Sequence, residues 1–235
     1  GRKLDAHAML QGHMRALKDA GGEVAVRSPV QALRHDGSRW IVATPGHSYA
    51  ARVVVNAAGA WVDQLAVLAG VAPIGIRPLR RTVITFAGPE DMDVSAWPFT
   101  KTAGTGLYFE PEGRGRLLAS AMDETPSPPC DAQPEEEDVA VAAWRMEEAT
   151  TLPIRRIAAS WAGLRSFAPD GRPVAGFDPA APGFFWLAGQ GGFGLQTSPA
   201  MAMAAEALVT GSDWPEELRA FGVEAAAMSP ARLRG

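Results

Sequence analysis

Apolar residues recur at helical spacing from Leu4 through Met9, Leu10, Met14 and Leu17, and Gly21-Gly22 then stops the run. The pattern predicts an amphipathic helix over residues 5–20, with Asp5 as its N-cap. Short strands are expected at 23–26, 30–33, 39–44 and 49–52, with hairpin turns at Asp36-Gly37 and Pro45-Gly46. Val53-Val54-Val55 reads as a buried strand that runs into Asn56-Ala57-Ala58-Gly59-Ala60-Trp61, and a helix through Leu65 and Leu68 follows as far as Gly70.

Beyond residue 70 the pattern turns to strands, expected at 81–86, 107–110 and 116–120, the last two joined by a turn over Glu112-Gly113-Arg114-Gly115. Four prolines between Glu124 and Pro134 exclude regular structure there. Glu135-Glu136-Glu137-Asp138 then suits the positive end of a helix running through Val139, Ala142, Ala143 and Met146. The last third alternates again. Strands are expected at 160–164, 173–176 and 184–188, with a turn at Pro169-Asp170-Gly171, and a glycine-rich turn over 189–194 leads to a helix from about Ser198 to Val209. No internal repeat is visible. Two α/β stretches, 1–70 and 161–235, flank a β-rich insert over 71–160, which predicts two domains with the first assembled from both chain ends.

Composition narrows the function classes. The 235 residues are 47% hydrophobic and 20% charged, an ordinary globular balance with length enough for a large core. A formal net charge of -4 provides no field to attract nucleic acid or an anionic membrane. No apolar window is long enough to span a bilayer, and the start Gly1-Arg2-Lys3-Leu4-Asp5 lacks the apolar core of a signal peptide. Cys130 is the single cysteine, which excludes an internal disulfide or a Cys-rich zinc site and points to a reducing, cytoplasmic setting. His7, His13, His35 and His47 show no ligand spacing, so no metal site is expected.

Three features offer chemistry. Gly189-Gln190-Gly191-Gly192-Phe193-Gly194 fits G-x-G-x-x-G between an apolar strand and an Ala-rich helix, where glycines let backbone N–H groups approach a ligand at the positive helix end. No second parallel strand with a ribose-binding acid follows residues 211–216, so a ligand-free tight turn and a cofactor contact both stay open on the motif alone. Arg165, after Trp161-Ala162-Gly163-Leu164, has the planar fork that grips a carboxylate, or else serves as a structural ion pair or a snorkelling surface arginine. Arg80-Arg81 has the same two readings, and strand alternation admits only one of the pair to a shared site. Tyr108 offers a phenolic hydroxyl to a ligand or is simply half-buried in a sheet.

Taken in order, four segments resemble the FAD-dependent D-amino acid oxidase and dehydrogenase superfamily over nearly the whole chain. They are Val53-Val54-Val55-Asn56-Ala57-Ala58-Gly59-Ala60-Trp61, Ile76-Arg77-Pro78-Leu79-Arg80-Arg81, Trp161-Ala162-Gly163-Leu164-Arg165 with Pro169-Asp170-Gly171, and Gly189-Gln190-Gly191-Gly192-Phe193-Gly194-Leu195-Gln196-Thr197-Ser198. Glu147-Glu148-Ala149-Thr150-Thr151-Leu152 with Ile154-Arg155-Arg156 resembles the D-arginine dehydrogenase branch in particular. The resemblance implies an α/β (α+β) fold, a partial FAD-binding Rossmann-like domain formed by both chain ends with an inserted antiparallel-sheet substrate domain.

It also implies hydride transfer from the α-carbon of an amino acid to flavin N5, leaving an imino acid that water converts to a 2-oxo acid. Arg165 would clamp the substrate carboxylate, Arg81 and Tyr108 would add contacts, the Gly192 carbonyl would face the amino group and Gln196 would border the pocket. Gly191, Gly192, Phe193, Gly194 and Leu195 would lie at the flavin's pyrimidine edge, where a helix N-terminus favours the negative charge of reduced flavin. Val30, Ala57, Ala58 and Gly59, with Trp61, would line the adenosine and pyrophosphate side. Phe193 stands where close relatives often carry Tyr. The family opens with a strand, a G-x-G-x-x-G turn and an acidic ribose ligand that this sequence does not contain, so a fragment of a longer enzyme or a truncated reading frame is expected. Two alternatives accompany the reading: an oxidase or dehydrogenase of secondary amines such as sarcosine or dimethylglycine, and a non-catalytic remnant domain. Side-chain preference, electron acceptor and oligomeric state are not legible from these residues.

Overall fold

The computed structural model describes residues 3–104, 106–113 and 115–234, so Gly1 and Arg2 of the chain start and Arg114 of the expected turn lie outside the described residues. In chain order the first elements are α1 (Ala6–Asp19), β1 (Ala32–His35), β2 (Trp40–Thr44), β3 (His47–Ala51), β4 (Val54–Asn56) and α2 (Val62–Leu68). The middle holds β5 (Arg77–Ala87), β6 (Thr100–Lys101), β7 (Tyr108–Pro111), β8 (Arg116–Ser120), β9 (Thr125–Pro126), α3 (Glu136–Ala149) and β10 (Ile157–Phe167). The last part holds β11 (Val174–Phe177), β12 (Phe184–Ala188), α4 (Gly194–Thr210), α5 (Glu216–Ala220) and α6 (Ala225–Met228). The architecture is mixed α/β with antiparallel sheets, the expected class.

One compact unit is Arg77–Arg165. Its sheet runs β10-β5-β8-β7-β6, with β9 also paired to β5. Alternation sends Ile84 and Phe86 of β5, Leu117 and Ala119 of β8 and Phe109 of β7 into one core, which Ala142 and Met146 of α3 complete. Arg80 shares that face. It pairs with Glu135 and with Asp138 at 3.0 Å, tying the acidic start of α3 to the sheet. The proline-rich stretch, expected to hold no regular structure, does contribute the two residues of β9. Thr125 and Pro126 pair with Arg80 and Leu79, and this short pairing at a strand end tolerates a residue without an N–H.

The other unit is made of the residues through Ile76 together with those from Ser166 onward. Asp5 caps α1 as predicted, its carboxylate accepting the Ala8 N–H at 2.9 Å. Residues 23–26 are not a strand. Val24 and Val26 are exposed, and two apolar residues with no surface to cover do not hold a ladder. β1, β2 and β3 form an antiparallel meander whose first turn is closed by Asp36, the carboxylate accepting the Ser38 and Arg39 N–H groups at 2.9 Å. These backbone donors hold its pKa down at about 2.

In the third sheet β12 lies between antiparallel β11 and parallel β4. Phe184 and Trp186 point into a core with Trp40, Val62 and Ile74, and Phe185 points the other way among Met201, Ala204 and Leu218. Ile74 and Ile76, inside the range expected for the insert, pack here, their N–H groups held by the Asp63 carboxylate at 3.0 and 2.8 Å. α4 begins at Gly194, four residues before the expected Ser198. Pro199 in its second turn lacks an N–H and would orphan the Leu195 carbonyl, and the Ser198 hydroxyl donates to that carbonyl at 2.8 Å.

Two acid-centred networks fasten the C-terminal residues to this unit. Asp178 accepts the Trp186 indole N–H at 3.0 Å and the Ala180 N–H at 2.9 Å, and pairs with Arg234. Burial alone would raise its pKa, but these donors outweigh it and hold the carboxyl below its usual range. Asp170 accepts from Arg232 at 2.8 Å and from Arg172 at 3.1 Å, and its pKa falls to about 2, chiefly through Arg232. A folded-state pKa below the unfolded value of about 3.9 means that this stabilisation is complete above about pH 4 and is lost as pH falls toward 2. Urea unfolding between pH 5 and about 2 is expected to show a falling midpoint whose slope is shallower in Asp170→Asn. Among the described residues no helix is long and apolar enough to cross a membrane.

Candidate active site

Alternation along β5 turns Arg81 to the face opposite Arg80. Arg81 is only 5% exposed in its side chain, and most of its fork is already engaged. Nε donates to the Asp123 carbonyl at 2.6 Å and Nη2 to Glu124 at 3.1 Å, while Nη1 is buried with no hydrogen-bond partner. A buried donor left unmade costs about 1–3 kcal/mol, so Nη1 marks a place prepared for an acceptor. Burial first, then the charge of Arg165, lower the Arg81 pKa, with Tyr108, Asp123 and Glu124 acting in the opposite direction.

Arg165 from β10 is half-buried, and its side chain forms no hydrogen bond or ion pair among the described residues. Tyr108 from β7 stands opposite Ser120 of β8. Three strands therefore bring Arg81, Tyr108 and Arg165 together, two guanidiniums that repel each other and a phenol, an arrangement completed by an anion with acceptor oxygens.

The support for Arg81 comes from residues that no local sequence pattern marks. Met122, a non-glycine residue, has φ 54°, and its N–H is taken by the Ser120 hydroxyl at 3.2 Å. That sparsely populated conformation costs about 1–3 kcal/mol and turns Asp123 and Glu124 back against Arg81, with the Asp123 carboxylate fixed by the Thr82 N–H at 2.9 Å. Both acids lie where the pattern shows only strand exit and irregular chain, and only their contacts across the sheet reveal them.

The other predicted residues lie in the second unit. Gly191 has φ 55°, and a Cβ there would stand 2.5 Å from the Phe167 ring, so the turn requires glycine. Its N–H donates to Ser166 at 2.9 Å. α4 then starts with no side-chain cap, leaving the first-turn N–H groups of Gly194, Leu195 and Gln196 without helix partners. Gly192, Phe193, Leu195 and Gln196 are exposed, Phe193 at 62%. Donor N–H groups at a positive helix end, beside exposed apolar side chains, fit a flat ring that gains negative charge on reduction.

At the β4 exit, buried Asn56 donates to the Val62 carbonyl at 2.8 Å and accepts the Ala58 N–H at 3.4 Å, which fixes the turn carrying exposed Ala57 and Gly59. Trp61 is exposed. The side chains of Val30 and Ala58 pack against the unit's core, so a ligand there would meet their backbone.

The discontinuous α/β unit thus carries an uncapped glycine turn, and the sheet unit an unsatisfied cationic pair. The FAD dependent oxidoreductase family matches residues 1–208, and the chain belongs to it, with FAD as the family's cofactor. A glycine oxidase from Geobacillus kaustophilus is 28% identical over 216 residues, covering 88% of this chain and 54% of that protein. FAD-dependent oxidoreductase domain-containing protein 1 from Bos taurus is 30% identical over 176 residues, covering 67% of this chain and 35% of that protein. The chain thus spans about half or less of the length of these relatives. Among solved structures, L-proline dehydrogenase from P. horikoshii superposes with a TM-score of 0.80 at 19% identity, over 99% of this chain and 60% of that one. The Geobacillus kaustophilus glycine oxidase structure superposes with 0.70 at 26% identity, over 89% and 55%.

Proposed function

We propose that this chain supplies the substrate-binding and flavin-contacting parts of an FAD-dependent oxidoreductase that oxidises the CH–NH2 group of amino acids, D-amino acids among them, to imino acids. The observation that carries the reading is the unpaired Arg165 beside the unpartnered Nη1 of Arg81. A substrate carboxylate satisfies both at once and is oriented by the planar fork, which a single ammonium would not achieve. Tyr108 adds a hydroxyl donor to the same anion. The electron chemistry, acceptance of the α-carbon hydride, would be supplied by FAD when bound.

The residues 191–195 and the first-turn N–H groups of α4 are assigned to the flavin, and Val30, Ala57, Ala58, Gly59 and Trp61 to its nucleotide part. The Gly192 carbonyl and Gln196 are assigned to the substrate amino group, where an acceptor holds the ammonium and takes up its proton's hydrogen bond. The exposed free Cys130 supports a reducing, cytoplasmic setting as part of the same proposal. Steady-state rates of the FAD-loaded protein with D- and L-amino acids, glycine, sarcosine and dimethylglycine test it. Turnover of primary amino acids, with the 2-oxo acid trapped as product, is expected; turnover of the N-methylated glycines alone would transfer the site to the secondary-amine class.

A further inference from the structure

We propose that Phe99 is a specificity-determining residue that selects amino acids with large apolar side chains, a refinement resting on the carboxylate capture proposed above. Phe99 immediately precedes β6, and its ring stacks on Tyr108 with centroids 5.2 Å apart and planes inclined by 30°. Stacked aromatic rings owe their stability largely to the area they bury, yet Phe99 remains 57% exposed, so the ring keeps an apolar surface open beside the site.

Register fixes where that surface lies. Lys101 of β6 is opposite Tyr108 of β7, and Tyr108 is opposite Ser120 of β8, so alternation puts Phe99 and Lys101 on the Tyr108 side of the sheet. Neighbouring strands stand about 4.8 Å apart, which sets β7 about 10 Å across the sheet from β5 and Arg81. With its carboxylate held by Arg165, the Arg81 Nη1 and the Tyr108 hydroxyl, glycine ends short of the Phe99 ring. A leucine, methionine or phenylalanine side chain extends toward it.

Binding of carboxylates without an amino group tests the inference without turnover. Calorimetric titration of the purified protein near neutral pH with acetate and with phenylpropionate is expected to give phenylpropionate at least about tenfold higher affinity. Phe99→Ala should reduce that preference to near unity and leave acetate unchanged, and Phe99→Leu should restore part of it. An undiminished preference in Phe99→Ala would overturn the inference. Arg165→Met should weaken both ligands together. If it weakens neither, the carboxylate site itself is wrong, an outcome distinct from failure at Phe99. Because the substituted ring is mostly solvent-exposed, the variant keeps the wild-type unfolding midpoint, which confirms that the loss is local.

Discussion

Replacing Arg165 by methionine is expected to lower kcat/KM for amino acids about a thousandfold, which corresponds to about 4 kcal/mol of lost transition-state stabilisation. The size follows from the site. Methionine keeps the length and apolar stem of the side chain but removes the fork, and the substrate carboxylate is left against Arg81, whose charge is already engaged by Asp123 and Glu124. The anion then enters a partly buried face with one unpaired donor, Nη1, instead of a clamp. Orientation suffers with affinity, so kcat should fall as well as KM rise. Arg165→Lys should lie between wild type and Arg165→Met, because it keeps the charge and loses the bidentate geometry. Steady-state kinetics on the FAD-loaded variants reads both parameters. Stability should not change, since Arg165 forms no internal pair among the described residues to lose.

The largest effect on stability is expected at Asp178. Removing its carboxylate in Asp178→Ala orphans the indole N–H of fully buried Trp186 and leaves the Arg234 guanidinium without its counter-charge, in a place where Nε of that arginine already has no partner. Breaking one side of such a pair costs about 3–5 kcal/mol, because a charge and a donor remain desolvated. Urea unfolding at neutral pH should show this as a lower midpoint with an unchanged slope. Removing Arg234 as well, in Asp178→Ala/Arg234→Leu, should recover part of the loss, since the uncompensated cation is then gone. Equal losses in the single and double variants would show that the indole bond, rather than the ion pair, dominates.

These two residues mark the range of what local sequence expresses. Arg165 was legible because residue type, apolar lead-in and segment order converge on it, and the opposite facing of Arg80 and Arg81 follows from the period of a strand. Asp5, with a helical run directly behind it, declares a cap for the same local reason. Asp178 looks like any acid at the end of a strand, and its value comes from Trp186 and from Arg234, 56 residues away. Asp123 and Glu124 reach Arg81 across 42 and 43 residues through a strained Met122, a contact no periodicity encodes.

Local signals also misled where a second group altered the outcome. The pattern starts the last helix at about Ser198, but the Ser198 hydroxyl satisfies the carbonyl that Pro199 orphans, and α4 starts earlier. That earlier start matters for the site, because it moves the uncapped first turn onto Gly194, Leu195 and Gln196. Val24 and Val26 alternate as a strand would, with no surface available to bury them. Phe99 carries no sequence signal at all. Its position beside Tyr108 emerges only from the pairing of β6 with β7.

Substrate capture through the carboxylate, by Arg165 and Arg81, is the proposal on which the functional reading rests. Anaerobic bleaching of the flavin absorbance in the FAD-loaded protein, with phenylalanine and with phenethylamine, its analogue lacking the carboxylate, tests this most directly. Rapid bleaching by the amino acid is expected, with at least about a thousandfold slower bleaching by the amine, and near-equal slow rates for both in Arg165→Met. Bleaching of the wild-type protein by the amine as fast as by the amino acid would contradict it.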